Sequence, residues 1–584
     1  LRNAHKLNEG EYLSSGIRGV RNSSWLGLPI ALAMAGGILF SVPGMAAVSP
    51  SPPLLGYSTY LGGRGTDIGS AIAVDAAGNV SVAGYTDSPD FPGAGGAAST
   101  PGNTPAGFDV FISRFDFAGR FLWSVRLGGS ADEFPVGIAL DAAGNLYVAG
   151  TTRSLDFPIR GEAFQKRLGG AVDTFLAKLS PDGKLLVSTY LGGSADDYPI
   201  GIAVDRAGRF YVSGTTRSAN FPVRAALQRR FGGSVDAFVT RLGATGRLLF
   251  STYVGGSDRE TSTGVAVDGK GYPYIAGTTY SENFPLPSSL STPVPSTRAS
   301  RPDTFVLKLD HSGARKYSVL LEGENTDEAH AIAVDAAGHA HVAGFTDSGD
   351  FPLLNDTHTP TAPGKNGFLT RIAADGRSLV YSTFLGGSFY DDVQALALDP
   401  AGNAYVTGFT NSNDFPASGS LAGNGESCDL FLTKVGPDGV FRFSTYFGGF
   451  LDDRSLEVKV DAEGRAAVTG FTRSDDYPLK DPIWDCAGCS APQKFLTLFD
   501  TVRGGIPIST FLDAVGEVAV SSTDFYVTGT TSASGSSDFP TLGAFQSHLS
   551  GGYDAFVLKL DSNRRVKRPA SGEDIVLGGD GEGF

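Results

Sequence analysis

Positive charge is scarce in this chain: 46 lysines and arginines stand against 61 aspartates and glutamates, giving a formal net charge of −15 and a pI near 5.0. A surface of that sign repels phosphate backbones, and nucleic acid is set aside as a partner. Cysteine is scarcer still, with only Cys428, Cys486 and Cys489. In an exported chain one pair can oxidise and leave a single thiol, and the sequence leaves all three pairings open. The stretch "CAGC" lacks a second CxxC and a nearby histidine pair, which argues against a zinc site. Charged residues make up 18% of the chain, while 79 glycines, 39 phenylalanines and 20 tyrosines favour many short, turn-rich strands. A helical solenoid is disfavoured on that ground.

Long apolar runs are missing too, with one exception. "WLGLPIALAMAGGILFSV", Trp25 to Val42, follows Arg2, Lys6, Arg18 and Arg21 and precedes the small residues of "PGMAAVSP". Residues 1–46 therefore read as an export signal cleaved after Ala46, and Pro29 weakens the helix an anchor would need. At 18 residues the run also touches the lower end of spanning length, so an uncleaved membrane anchor is the alternative. Residues 47–56 form a Pro-rich linker, and the polar, Gly-rich 562–584 is expected to be disordered. The product is expected to be secreted, periplasmic or on the cell surface, and monomeric.

What the chain has in abundance is repetition. Related runs open at Ser58, Ser124, Ser188, Ser251, Ser318, Ser382, Ser444 and Ser509, spaced by 62 to 67 residues. Each unit holds an "IAVD" run, a tight turn, a run like "FYVSGTT", a Phe-Pro loop, a run like "DAFVTRL", a polar turn and then a run like "STYVGG". Ile202 and Val204 point to one face of their strand and Ala203 to the other, and both faces are apolar. A small antiparallel sheet buried on both faces and repeated at this period is a blade wedged between two others. The expected fold is a single all-β propeller of eight four-stranded antiparallel blades over residues 57–561. The "IAVD" runs are placed innermost and the "STY" runs outermost. The first copy begins with an outer strand and the last ends without one, so the N-terminal run is expected to pair with the last blade and close the ring. The eighth unit, "STFLDAVGEVAVSSTDFYVTG", lacks the Gly-Gly loop, which leaves seven blades as the alternative. Asp75/Gly78, Asp205/Gly208 and Asp335/Gly338 suit tight hairpin turns. Gly192 and Gly193 are expected to supply turning backbone angles.

The pattern "STYLGG…IAVDAAGN.YVAGTT.S.DFP…DAFV.KL…G" resembles the SBBP beta-propeller repeat of bacterial secreted and surface proteins, and its "IAVDAAGNLYVAG" core is similar to NHL-type propeller repeats. The resemblance spans about Tyr57 to Asp561. It implies the propeller fold, although the family's name refers to seven blades.

Seven of the eight units carry acids in the outer-to-inner connection: Asp67, Asp132/Glu133, Asp196/Asp197, Asp258/Glu260, Asp327/Glu328, Asp391/Asp392 and Asp452/Asp453. One carboxylate per loop is expected to cap backbone N–H groups of its own turn. The competing reading makes these residues calcium ligands, because hard divalent ions take carboxylate and carbonyl oxygens. No "DxDxDG" loop supports it, and no cofactor is otherwise expected. The Gly-Gly loops lack the Lys-Ser/Thr and helix of a phosphate-binding loop. The "SxDFP" elements recur in every unit, so their aromatics are expected to plug the space between blades. They differ from the sialidase Asp-box, which requires a Trp. "AFQKRLGG" (Ala163 to Gly170), "ALQRRFGG" and "AFQSHLSGG" are expected to form short helical turns, and low-complexity loops such as Pro285 to Pro302 replace them elsewhere. A ligand surface is expected on these variable loops. His330, His339 and His341 are spaced too far along one hairpin for a single metal, and are expected to be solvated replacements of the usual Asn and Tyr.

No nucleophile or acid–base constellation interrupts the repeat, there is no GxSxG, and the repeated Trp docking motif of eight-bladed quinone dehydrogenases is absent. The expected function is an exported, non-catalytic binding or scaffold propeller that engages a protein or glycan through its loop face. The alternatives are an extracellular hydrolase or lyase with its site at the channel mouth, and a structural surface or adhesion protein.

Overall fold

The computed structural model describes residues 54–93, 107–284, 301–356, 365–417, 427–484, 492–532 and 539–561. The expected signal or anchor, the C-terminal tail, Cys486 and Cys489 lie outside them. All regular structure in the described residues is β-strand.

Blade 3 shows why each unit becomes a sheet. Its strands Asp197–Val204, Phe210–Thr216, Asp236–Leu242 and Leu248–Val254 pair in chain order, all antiparallel. The third is buried along its whole length. A sheet with two oily faces must be covered twice. Tyr147, Ala149, Leu176 and Leu191 of blade 2 cover one face of Phe210, Val212, Phe238 and Leu242. Similar clusters join the other neighbours, including blades 7 and 8 through Leu496, Leu498, Val527 and Phe556. There are eight such four-stranded sheets: 67–127, 133–191, 197–254, 260–321, 327–385, 391–447, 453–512, and 514–561 completed by 54–61.

The eighth blade forms despite its degenerate sequence. Its outer strand is the N-terminal run Leu54–Leu61, registered so that Tyr57 faces Lys559, Thr59 faces Val557 and Leu61 faces Ala555. The expected latch is therefore present. The strand begins at Leu54, ahead of the Tyr57 at which the sequence pattern starts. Elsewhere the outer-to-inner connection runs through a Gly-Gly loop, or through Glu322-Gly323 on the way into blade 5; here Asp513 alone bridges Leu512 and Ala514, and its Oδ2 accepts from the Ser532 N–H at 2.6 Å.

Two local expectations are corrected. Gly192 and Gly193 do not adopt left-handed angles; such angles belong to hairpin glycines such as Gly78, Gly208 and Gly338, at φ 81°, 68° and 86°. The Gly-Gly pair is required by close approach instead. A Cβ on Gly192 would lie 2.4 Å from the Asp173 Cγ, and one on Gly193 2.5 Å from the Ser218 Cβ. The "AFQKRLGG" segment is irregular rather than helical. Its Gln165 spends its side chain on the neighbouring chain: Oε1 accepts from the Gly192 N–H at 3.0 Å, and Nε2 donates to the Arg167 carbonyl at 3.0 Å. Gln228 and Gln546 do the same in blades 3 and 8.

The "SxDFP" aromatic is the expected plug. Phe157 joins a core containing Val110, Ile112 and Leu127 of blade 1 together with Phe175 of its own blade. In all eight units the ring sits 4.5–5.0 Å from a third-strand Phe. The Ser and Asp of the same element have a second task that the sequence reading missed. In blades 1 to 7 the Ser Oγ accepts a loop N–H at 2.8–2.9 Å. The Asp or Asn Oδ1 accepts the preceding N–H at 2.7–3.0 Å, fastening the connection that enters the blade.

Candidate functional site

The first residue of each inner strand in blades 1 to 7 is an acid with no exposed surface: Asp67, Glu133, Asp197, Glu260, Asp327, Asp391 and Asp453. Each accepts the N–H of the second loop glycine, or of Gly323 in blade 5, at 2.6–2.9 Å. A Thr hydroxyl at the end of the second strand and the Ser hydroxyl just after it donate to such carboxylates, as Thr346 and Ser348 do to Asp327 at 2.5 and 3.0 Å. These are turn caps. Burial drives their pKa values up, Asp67, Asp197, Asp391 and Asp453 to about 6 and Glu133 and Asp327 to about 7. The other candidate acids have different partners. Asp132 and Asp452 pair with Arg153 and Arg473, both at 3.6 Å, and Asp258 is exposed. Among the described residues no three His, Cys, Asp or Glu side chains converge as a metal-binding group.

The second and fourth residues of each inner strand carry the variety. Every inner strand is bulged, around its fourth residue in blades 1 to 7, as at Ile200 between Pro199 and Gly201, and around its third in blade 8, and a bulge re-aims a side chain. The bulged residues are Ser70, Val136, Ile200, Thr263, His330, Gln394, Leu456 and Gly516. They sit where the innermost strands begin, around the mouth of the axial channel. The mouth is two-sided. Phe134, Val136, Tyr198 and Ile200 make an apolar arc on blades 2 and 3; Glu328, His330, Asp392 and Arg454 make a charged arc on blades 5 to 7.

In the charged arc the His330 Nδ1 lies 3.0 Å from the Asp392 Oδ1 and 2.8 Å from the Val393 carbonyl, with its Nε2 3.8 Å from the Glu328 Oε2. Burial opposes the imidazolium, yet the neighbouring Asp392 and Glu328 carboxylates lift its pKa to about 10. This is a fixed cation between two acids, not a solvated substitution. Deeper in the channel, Lys459 Nζ lies 2.7 Å from the Glu457 Oε1 and 3.8 Å from the Glu517 Oε1. Both glutamates also accept inner-strand N–H groups of the following blade, from Val518 at 2.9 Å and Ile72 at 3.0 Å. The trio stands where other inner strands carry Gly or Ala, such as Gly201 and Ala203. That departure was the sequence signal for it.

Beside the apolar arc a cavity of about 510 Å3 opens between blades 3 and 4, lined by Tyr198, Ile200, Thr215, Arg217, Ser234, Val235, Arg259 and Thr261.

The opposite face repeats closely. A hairpin Asp meets a second-strand Tyr and a third-strand Lys or Arg, and the Tyr hydroxyl donates to a turn carbonyl of the next blade: Tyr147 to Gly208 at 3.0 Å, Tyr211 to Gly271 at 2.7 Å and Tyr274 to Gly338 at 2.8 Å. His339 and His341 belong here. His339 takes the role of Asn79, its Nδ1 2.9 Å from the Asp335 Oδ2. His341 replaces the tyrosine and is fully buried beside Tyr381, so it too is no solvated substitution. Burial would raise the Asp335 pKa, but His341, His339 and Arg371 around its carboxylate hold it far below the usual range.

A family model described as a beta-propeller repeat, SBBP, matches residues 56–92, 122–158, 188–222, 249–285 and 380–416. Five of the eight units thus match the SBBP repeat model. The curated protein "Regulatory protein FlaEY" of Caulobacter vibrioides is 23% identical to this chain over 330 residues, 52% of the chain and 33% of that protein. The chain thus spans about a third of the length of the curated relative it matches. Solved structures similar to it include the quinohemoprotein alcohol dehydrogenase of Comamonas testosteroni, at 10% identity and a TM-score of 0.41 over 90% of this chain and 79% of that one. The Dos1 propeller matches at 8% identity and a TM-score of 0.40 over 86% and 94%. The eight-bladed ring rests on its own strand order, and the bulge on every innermost strand, eight residues long in blades 1 to 7, is what brings the mouth residues together.

Of the remaining sequence expectations, the loop 285–300 and most other low-complexity loops lie outside the described residues. Cys428 is buried and free; its Sγ lies 2.6 Å from the Asn411 Oδ1, and burial raises its pKa.

Proposed function

We propose that this SBBP propeller is an exported, non-catalytic binding protein that engages a macromolecular or glycan ligand at the mouth of its channel. The observation that carries the reading is the divergence of the bulged inner-strand residues over a framework that otherwise repeats. Packing requires every blade to be alike, whereas recognition of one ligand requires that some positions differ. Export rests on the charged and apolar segments of residues 1–46.

The test is a glycan array and a protein pull-down with the folded chain, followed by titration of the hits. Val136→Asp, Ile200→Asp and Leu456→Asp change rim residues that are 42%, 37% and 50% exposed, so none should alter the melting temperature. At least one is expected to weaken binding about tenfold or more. Binding untouched by all three would remove the reading. The second reading, a hydrolase or lyase, is favoured only by His330 between Asp392 and Glu328, and a histidine held charged to about pH 10 is a poor general base at neutral pH. Turnover abolished by His330→Asn would put the enzyme reading in its place.

A further inference from the structure

The residue before each inner strand lies beside the residue after the second strand of the same blade, joined by one backbone hydrogen bond: Arg153 to Asp132, Arg217 to Asp196, Tyr280 to Arg259 and Arg473 to Asp452. In blades 2 and 7 this position pair is an ion pair, with both N···O distances 3.6 Å. Blade 3 has the same residue types and breaks the rule. There the Tyr198 hydroxyl donates to the Asp196 Oδ2 at 3.3 Å, and Arg217 forms no ion pair among the described residues. In blade 4 the acid itself is replaced by Arg259, whose guanidinium lies 5.9 Å over the Tyr280 ring and likewise forms no ion pair among the described residues. Two adjacent blades thus line one cavity with two guanidinium groups that make no ion pair among the described residues, on a protein whose net charge is −15; the Arg259 charge also reaches the Glu328 carboxylate and helps to lower its pKa.

Unpaired arginines beside a cavity favour an anion, and their fork geometry matches a planar carboxylate. The rest of the wall selects what carries it. Tyr198 and Ile200 are 38% and 37% exposed and offer an apolar surface to a ring's C–H face. The hydroxyls of Thr215 and Thr261 line the same cavity and can exchange hydrogen bonds with a polyol. A compact inorganic anion would leave the tyrosine and isoleucine uncovered. A volume of about 510 Å3 suits a few sugar rings.

We propose that the cavity between blades 3 and 4 is a binding subsite for a carboxylated saccharide, a uronic-acid unit of a larger glycan. The carboxylate lies between Arg217 and Arg259 and the sugar ring against Tyr198. This rests on the mouth-binding reading above and narrows it to one ligand class.

The probes are tri-galacturonate, its methyl ester, inorganic phosphate and a short poly-glutamate peptide, titrated calorimetrically into the folded chain. Tri-galacturonate should bind saturably, and the ester, which keeps the sugar and loses the charge, should bind at least about tenfold more weakly. Arg217→Met and Arg259→Met should each cost about tenfold or more, and Tyr198→Ala should also weaken binding, with melting temperatures unchanged because all three side chains are exposed. Equal affinity for the ester, phosphate or poly-glutamate binding as tightly as the uronate, or no saturable uronate binding overturns the proposal. If another ligand binds at the rim and ignores both arginine variants, the uronate subsite falls while the wider reading stands. If no ligand of any class binds the mouth, both fall.

Discussion

Gly192 has room for a hydrogen and nothing more. The Asp173 and Asp197 carboxylates close on it from two strands, so Gly192→Ala should cost about 1–3 kcal/mol of unfolding free energy in urea titrations, although the backbone angles there suit alanine. Sequence reading took this glycine for a turn residue because a Gly-Gly pair looks the same whether angle or space demands it. The deciding carboxylate is 19 positions upstream of Gly192, on another strand, and no local pattern points to it. The capping acids lead to a pH prediction. Their unfolded pKa values are 3.8 for Asp and 4.5 for Glu, and their folded values are raised to about 6 or 7. A raised carboxyl pKa means the folded state holds the proton more tightly. The stability this contributes is complete below about pH 4 and is lost as pH rises through 6 to 7. His330 adds a loss in the same direction above its unfolded value of 6.5, while the lowered Asp335 acts oppositely, below pH 3.8. The melting temperature should therefore be higher at pH 5 than at pH 8, and Asp327→Asn should flatten that difference. A higher melting temperature at pH 8 would contradict the assigned shifts.

At the scale of strands and loops, the contacts between blades hold the protein together. Phe221 sits 4.6 Å from Phe238 and 5.9 Å from Tyr253 in the core shared by blades 2 and 3. Phe221→Ala should lower stability by about 3–5 kcal/mol, read from the denaturant midpoint at unchanged slope. The tyrosine latch on the opposite face is weaker. Tyr274→Phe removes the one hydroxyl proton that faces the Gly338 carbonyl at 2.8 Å and the Asp268 carboxylate at 3.2 Å while keeping the ring, and should cost about 1–2 kcal/mol. The plug was legible because an aromatic repeated in every unit can only be packing. The latch was not, because the tyrosine and its acceptor are 64 residues apart and belong to different blades. His341 misled for the same reason: its burial is supplied by Tyr381 and the neighbouring strands rather than by its own.

For the whole molecule the N-terminal strand is the closing element. The Ser58 and Tyr60 N–H groups point away from the last blade, to Leu542 and Gln546 carbonyls, so by alternation the Thr59 N–H points into the ladder with Val557. Thr59→Pro removes that bond from a strand paired within the sheet. It should speed hydrogen exchange across residues 553–561 and lower the melting temperature, and unchanged protection there would mean the ring does not depend on its latch. The repeat of a two-faced apolar unit was enough, by itself, to dictate blades, their four strands and the need for closure, because seven of the eight sheets are made of sequence neighbours; the degenerate eighth unit left seven blades open, and the pairing of Leu54–Leu61 with Tyr553–Asp561 decided for eight. The mouth was decided only by tertiary structure. His330 meets Asp392 and Arg217 comes beside Arg259 because successive inner strands converge on one axis, and no spacing along the chain records that convergence.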